Sequence, residues 1–211
     1  SEMDKNNAQW LRNVSVSLNK LGDLAMSEGQ TADARKSYAE ALEIARRLSE
    51  TDKNNAQWQR DVSVSLNELG DLAMSEGQTA DARKYYAEAL EIARRLSEMD
   101  KHNAQWLRDV SLSLSNLGDL AMSEGQTADA RRPYAEALEI ARRLSELDKN
   151  NAGWQLDLAT SHARLMLLAP DASARRLHRS EISRIIEALR TRNALPQDPR
   201  VARLQELIAK P

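Results

Sequence analysis

The stretch Trp10 to Leu48, WLRNVSVSLNKLGDLAMSEGQTADARKSYAEALEIARRL, decides the fold. It returns almost verbatim as Trp58–Leu96 and Trp106–Leu144, and a worn fourth copy opens at Trp154. Trp10, Trp58, Trp106 and Trp154 stand 48 residues apart. A fixed period of this size predicts a solenoid, in which each unit buries its apolar face only against its neighbours.

Within one copy, Trp10, Val14, Leu18, Leu21 and Ala25 recur at steps of four and three, which marks one face of a helix. Gly29-Gln30 interrupts the pattern. Thr31 is the expected N-cap of a second helix, with Asp33 in its first turn, where a negative charge suits the helix dipole. Ala34, Tyr38, Ala41, Ala45 and Leu48 form the second stripe. Asp52-Lys53-Asn54-Asn55 is a turn, and Asn54 or Asn55 can cap the helix that follows. Each copy therefore reads as two antiparallel helices, A and B.

Leu18, Leu21, Gly22, Gly29, Ala34, Tyr38 and Ala41 fall at the spacing of the tetratricopeptide repeat signature. The set recurs as Leu66, Leu69, Gly70, Gly77, Ala82, Tyr86 and Ala89, and again as Leu114, Leu117, Gly118, Gly125, Ala130, Tyr134 and Ala137. Over residues 5–170 the chain resembles the tetratricopeptide repeat (TPR) family. The family's repeat is about 34 residues, and its proline before helix A is here replaced by Lys5, Lys53 and Lys101. About two extra turns in each helix account for the added length and keep the two stripes in phase. Each helix should then run about 20 residues, or about 30 Å. In this the chain resembles long-helix bacterial arrays and, more distantly, those of kinesin light chains. The resemblance implies an all-α, right-handed superhelical solenoid of about nine helices whose helix A residues line a concave groove.

Composition narrows the function. Thirty basic against 32 acidic side chains leave a net charge of −2, which argues against a general nucleic-acid binder. No apolar run is long enough to span a membrane. The absence of cysteine excludes thiolate chemistry and fits a cytoplasmic protein. His102, His162 and His178 show no ligand spacing, so surface or capping roles are expected rather than a metal site. Gly29, Gly77 and Gly125 read as turn residues, not a phosphate loop. No catalytic constellation is present, so neither an enzyme nor a bound cofactor is expected.

The chain divides into repeats at residues 1–48, 49–96 and 97–144, a degenerate repeat at 145–192 and a capping helix at 193–211, in one continuous solenoid. Ser1-Glu2-Met3-Asp4 matches the end of helix B in later copies. The chain thus reads as a fragment or processed product of a longer array, with an apolar flank exposed at its N-terminal end. Pro133, about six residues into a helix B, predicts a kink or a late start. Pro170-Asp171 is a shortened inner turn before a basic helix over 172–191, whose apolar face is Leu177, Ile182, Ile185, Ile186 and Leu189. Asp198-Pro199 opens a last helix to Ala209.

The tryptophans share the face of the Val and Leu core positions, so core anchoring is their expected role, with a binding stripe the alternative. By the resemblance, the opposite face of helix A lines the groove. It holds Arg12, Val16, Asn19 and Asp23, then Arg60, Val64, Asn67 and Asp71, then Arg108, Leu112, Ser115 and Asp119. Amide and hydroxyl groups there could bond an extended peptide, and the Asp row would favour a basic segment. Equally, these residues could form a solvated face, with Arg12 paired to Asp61. Lys20, Glu68 and Asn116 change charge among near-identical copies. Two functions follow. One is a scaffold binding a partner's peptide or helix in the groove. The other is a self-assembly module of a larger signalling protein, associating through the uncapped N-terminal end.

Overall fold

The computed structural model describes residues 2–209. Ser1 and the last two residues of the expected capping segment lie outside the described residues. Among those described there are nine helices and no strand, so the chain is an all-α helical-repeat protein of the solenoid class. The helices are α1 (Glu2–Ser27), α2 (Thr31–Thr51), α3 (Ala56–Ser75), α4 (Thr79–Met99), α5 (Ala104–Ser123), α6 (Thr127–Leu147), α7 (Ala152–Leu167), α8 (Ala172–Thr191) and α9 (Pro199–Ala209). Helices α2 to α6 are each 20 or 21 residues long, the length expected from the doubled stripes. None of the described helices is long and apolar enough to cross a membrane.

The inner turns share one construction. Gly29, Gly77 and Gly125 have φ of 73°, 73° and 74°, the left-handed region that a side chain disfavours. The turn lets Gln30 N–H reach back to the Ala25 carbonyl at 2.8 Å and Gly29 N–H to that of Met26 at 3.1 Å. These two bonds satisfy carbonyls that a helix end leaves orphaned. The turns between repeats are closed differently: Asn55 and Asn151 each accept a hydrogen bond from the backbone N–H three residues on, at Trp58 and Trp154.

Contacts divide the chain into two compact units, one up to Trp106 and one from Leu107. The core of the first is Ala34, Tyr38, Leu42, Ala45, Val62, Leu66, Leu69 and Leu72. The core of the second joins Tyr134 and Leu138 of α6 to Leu156 of α7, Ile182, Ile185 and Leu189 of α8, and Val201 and Leu204 of α9.

Several expectations need correction. Thr31 is the first helical residue rather than the cap; Gln30 takes the cap position and makes no cap hydrogen bond with its side chain. Helix α1 runs unbroken from Glu2 to Ser27. Pro133 does not delay α6, which begins at Thr127 like its counterparts; the proline, in the second turn, only removes the donor that would reach the Asp129 carbonyl. The tryptophans are not core anchors. Trp10 is 63% exposed, and the other three are half-buried. Trp58 and Trp154 sit in the first turn, against their capping Asn, at the rim of the packed layer. Leu177 is exposed, while the other four apolar residues of α8 are buried.

The apolar flank of repeat one is exposed, as expected. Leu21 and Leu24 are 55% and 54% exposed, whereas their counterparts Leu69 and Leu72 are 4% and 0%.

Candidate protein-binding face

Among the predicted groove residues of the first unit, Arg12, Asn19 and Asn67 already bond within the protein. Arg12 donates from Nε and Nη2 to the two carboxylate oxygens of Asp61, at 2.7 and 3.3 Å. Asp61 is buried and also accepts from Gln57 at 2.9 Å. Asn19 donates to the buried Ser65 hydroxyl at 3.0 Å. Asn67 is buried and turns its amide onto the Ser63 carbonyl, 3.1 Å away. The Arg12–Asp61 and Asn19–Ser65 bonds hold α1 against α3, so Arg12 and Asn19 first serve the stacking of repeats. Val16 and Val64 remain half-buried, and Asp23 and Asp71 are exposed.

Each Asp of this row is positioned by a tyrosine. The hydroxyls of Tyr38, Tyr86 and Tyr134 donate to Asp23, Asp71 and Asp119 at 2.9, 2.6 and 2.6 Å. The Tyr rings lie over Gly22, Gly70 and Gly118, the residues immediately before each Asp. The Leu-Gly-Asp sequence is thus a receptor for the Tyr of helix B. Burial, and then the bond to the carboxylate, push the Tyr38 and Tyr134 hydroxyls well above their usual pKa, so they stay donors.

Glu68 completes the face of the first unit. Its carboxyl is pushed up to about 7, first by burial and then by repulsion from Asp23 and Asp71. Three acidic side chains therefore share one electrostatic neighbourhood on this face.

The second unit carries the same receptor with opposite chemistry. Asp119 accepts a fork from Arg164, with Nε at 3.0 Å and Nη2 at 2.7 Å, and the guanidinium lies 5.9 Å from the centre of the Tyr134 ring. Arg108 pairs with Asp157 at 2.7 Å, and Arg200 of α9 reaches the other oxygen of Asp157 at 2.8 Å. Arg200 also holds Asp198, whose carboxyl it keeps below the usual range. A cavity of about 200 Å³ opens here, lined by Arg108, Leu112, Ser115, Asp157, Thr160 and Arg164. Leu112 is 50% exposed and Ser115 is buried. The structure thus keeps Arg108, Leu112 and Ser115 together on one surface. It does not present Asp119 as an open acid, because Arg164 neutralises it.

Sequence reasoning missed Arg164, Thr160 and Arg200. Arg164 was within reach of it: Lys20, Glu68, Asn116 and Arg164 are one position of the 48-residue period. The fourth copy has lost its Leu-Gly pair, which hid the alignment.

A second feature was also missed. His162 of α7 and His178 of α8 approach to 2.9 Å between their Nδ1 atoms. Burial, and then the neighbouring His178, lower His162 to about 4; burial also lowers His178. His162 borders a cavity of about 510 Å³ with Arg142, Glu146, Leu177, Glu181 and Arg192. Among the described residues no group of three or more acidic or histidine side chains is placed to hold a metal ion.

Models of the tetratricopeptide repeat match residues 14–52 and 61–143, together more than half of the chain. A comparison with curated proteins found no match. Among solved structures, the chain is similar to the de novo designed helical repeat protein DHR64, at 17% identity and a TM-score of 0.41, over 99% of each chain. It is also similar to a MamA double mutant, at 14% identity and a TM-score of 0.33, over 82% of this chain and 95% of that one. PilF of Pseudomonas aeruginosa matches at 16% identity and a TM-score of 0.31, over 96% of this chain and 89% of that one. With its repeats so matched and its Leu-Gly-Asp and Tyr positions packed together, the chain belongs to the tetratricopeptide repeat family, a protein-interaction repeat scaffold.

Proposed function

We propose that the helix A face binds a peptide or helix of a partner protein, and that the first unit takes a basic segment of it. The observation that carries this reading is the exposed pair Asp23 and Asp71, each oriented by a tyrosine hydroxyl, with Glu68 in their field. Like charges gathered on a face destabilise the free protein, and a cationic partner converts that cost into affinity and orientation. Half-buried Val64 supplies apolar contact beside the charges of the first unit, and half-exposed Leu112 supplies it on the face of the second unit. Affinity capture with the parent chain and with a Val64→Ser/Leu112→Ser variant tests the reading. A partner held by the parent and lost by the variant supports it. A partner held equally by both overturns it.

A second reading, self-association, rests on a separate observation: Trp10, Leu21 and Leu24 are exposed on the flank of α1. An apolar flank of this kind drives association in water. Light scattering across a hundredfold concentration range, on the parent and on Leu21→Ser/Leu24→Ser, decides it; a parent monomeric throughout removes this reading.

A further inference from the structure

The junction of repeats one and two differs from that of repeats three and four at one position that changes what the Asp–Tyr receptor holds. In the second unit Asp119 and Tyr134 receive the Arg164 side chain, supplied by the following repeat 45 residues on. In the first unit the receptor is the same pair, Asp23 and Tyr38, joined by the same hydroxyl bond. The side chain arriving 45 residues on is Glu68. Where one receptor is filled by a guanidinium from within, the other is lined by a second carboxylate.

We infer that Asp23 and Glu68 seat the guanidinium of an arginine side chain from a partner protein. The inference rests on the groove reading above and names the group that the basic segment must carry. The filled receptor shows the fit directly: a carboxylate oriented by a tyrosine hydroxyl takes both donors of a guanidinium fork, with the ring alongside. A planar fork matches a carboxylate in two places and lies flat on a ring, whereas an ammonium offers a point charge and fits neither feature. In the first unit Glu68 adds a second acceptor where the internal arginine would otherwise enter. The charged groups facing Glu68 are Asp23 of α1 and Asp71 of its own helix, both acidic, and Tyr38 of α2 lies within their field.

The probes are three short acetylated, amidated peptides, alike except for a central arginine, lysine or citrulline. Binding is followed by NMR on the full chain, reading the Glu68 carboxyl carbon and the Tyr38 ring. The arginine peptide should shift both signals and bind about tenfold more tightly than the lysine peptide. The citrulline peptide, with the shape but not the charge, should leave them unmoved. Glu68→Arg fills the seat from within and should abolish the response, while Glu68→Gln should weaken it about tenfold. Equal shifts from arginine and citrulline, or undiminished binding to Glu68→Arg, would overturn the inference. The two readings fail separately. Loss of the captured partner on Val64→Ser/Leu112→Ser with no arginine response removes the seat and keeps the groove. An arginine response with capture unaffected by that variant removes the groove and keeps the seat.

Discussion

Tyr38 lies so close over Gly22 that a Cβ built on that glycine would stand 2.6 Å from the ring's Cδ1. Gly70 and Tyr86 stand in the same relation, as do Gly118 and Tyr134. Replacing a helical glycine by alanine ordinarily gains about 1 kcal/mol. Here the added methyl must displace a ring that is 2% exposed and hydrogen-bonded at its far end. Overpacking of this kind costs about 1–3 kcal/mol. Gly70→Ala should therefore lower stability in urea unfolding, and Gly70→Ala with Tyr86→Leu should recover part of the loss. An alanine that stabilised the protein would contradict the packing described.

The charge at the period position of Lys20, Glu68, Asn116 and Arg164 should set the local strength of stacking. Glu68→Arg can form with Asp23 the fork that Arg164 forms with Asp119, and it removes the repulsion. A charge-assisted bond of this sort contributes about 1–3 kcal/mol. Thermal unfolding should show Glu68→Arg above the parent and Arg164→Ala below it. The same sign for both would refute the equivalence of the two receptors.

The two units should respond to pH in opposite directions. Glu68 titrates at about 7 when folded, above its ordinary 4.5, so the folded chain holds the extra proton. Its penalty is complete above pH 7 and is relieved as pH falls toward 4.5. His162 titrates at about 4 when folded, below its ordinary 6.5, so the unfolded chain holds the extra proton. Its contribution is complete above pH 6.5 and is lost as pH falls toward 4. Glu68→Gln should gain on the order of 2–3 kcal/mol at pH 8 and little at pH 4.5. His162→Gln should flatten the decline below pH 6.5. An advantage of Glu68→Gln that stayed constant from pH 8 to 4.5 would show that Glu68 does not titrate in this way.

The two kinds of helix start should differ in sensitivity. Asn151 bonds the Trp154 N–H, whereas Gln126 at the start of α6 makes no cap hydrogen bond with its side chain. Asn151→Ala should cost about 1 kcal/mol, and Gln126→Ala should be close to neutral in the same denaturation experiment.

These comparisons show which features a sequence displays. The bounds of α8 and α9 were legible because Asp171 and Asp198-Pro199 are local signals that act within three residues. The choice between Asn54 and Asn55 was not, since it depends on which carbonyl oxygen reaches the Trp58 N–H. Tyr38, Ala41 and Leu48 were legible as core because helical spacing alone puts them on one stripe. An exposed apolar flank at the N-terminal end was foreseen, but the exposure of the tryptophans was not, because an exposed position at the end of a stripe shows the same periodicity as a core one. Arg12–Asp61 was foreseen as an ion pair by counting one period. His162 and His178 lie on different helices, and their meeting depends on the relative rotation of α7 and α8, which sequence spacing does not encode. For the proposed groove, the sequence set the three Asp at one position of the repeat; it did not show that Arg164 closes that row at Asp119.

Arg12 pairs with Asp61, and Arg108 with Asp157, in each case one period plus one residue away. The rule that joins neighbouring repeats is therefore written relative to the period and not to any fixed place in the chain. Unequal recombination between such similar copies adds or removes 48 residues at a time, and every new junction inherits its own arginine and aspartate. The array can change length in a single genetic event without passing through a mismatched intermediate, while one codon, that of the Lys20/Glu68/Asn116/Arg164 position, is free to give each inserted copy a different charge.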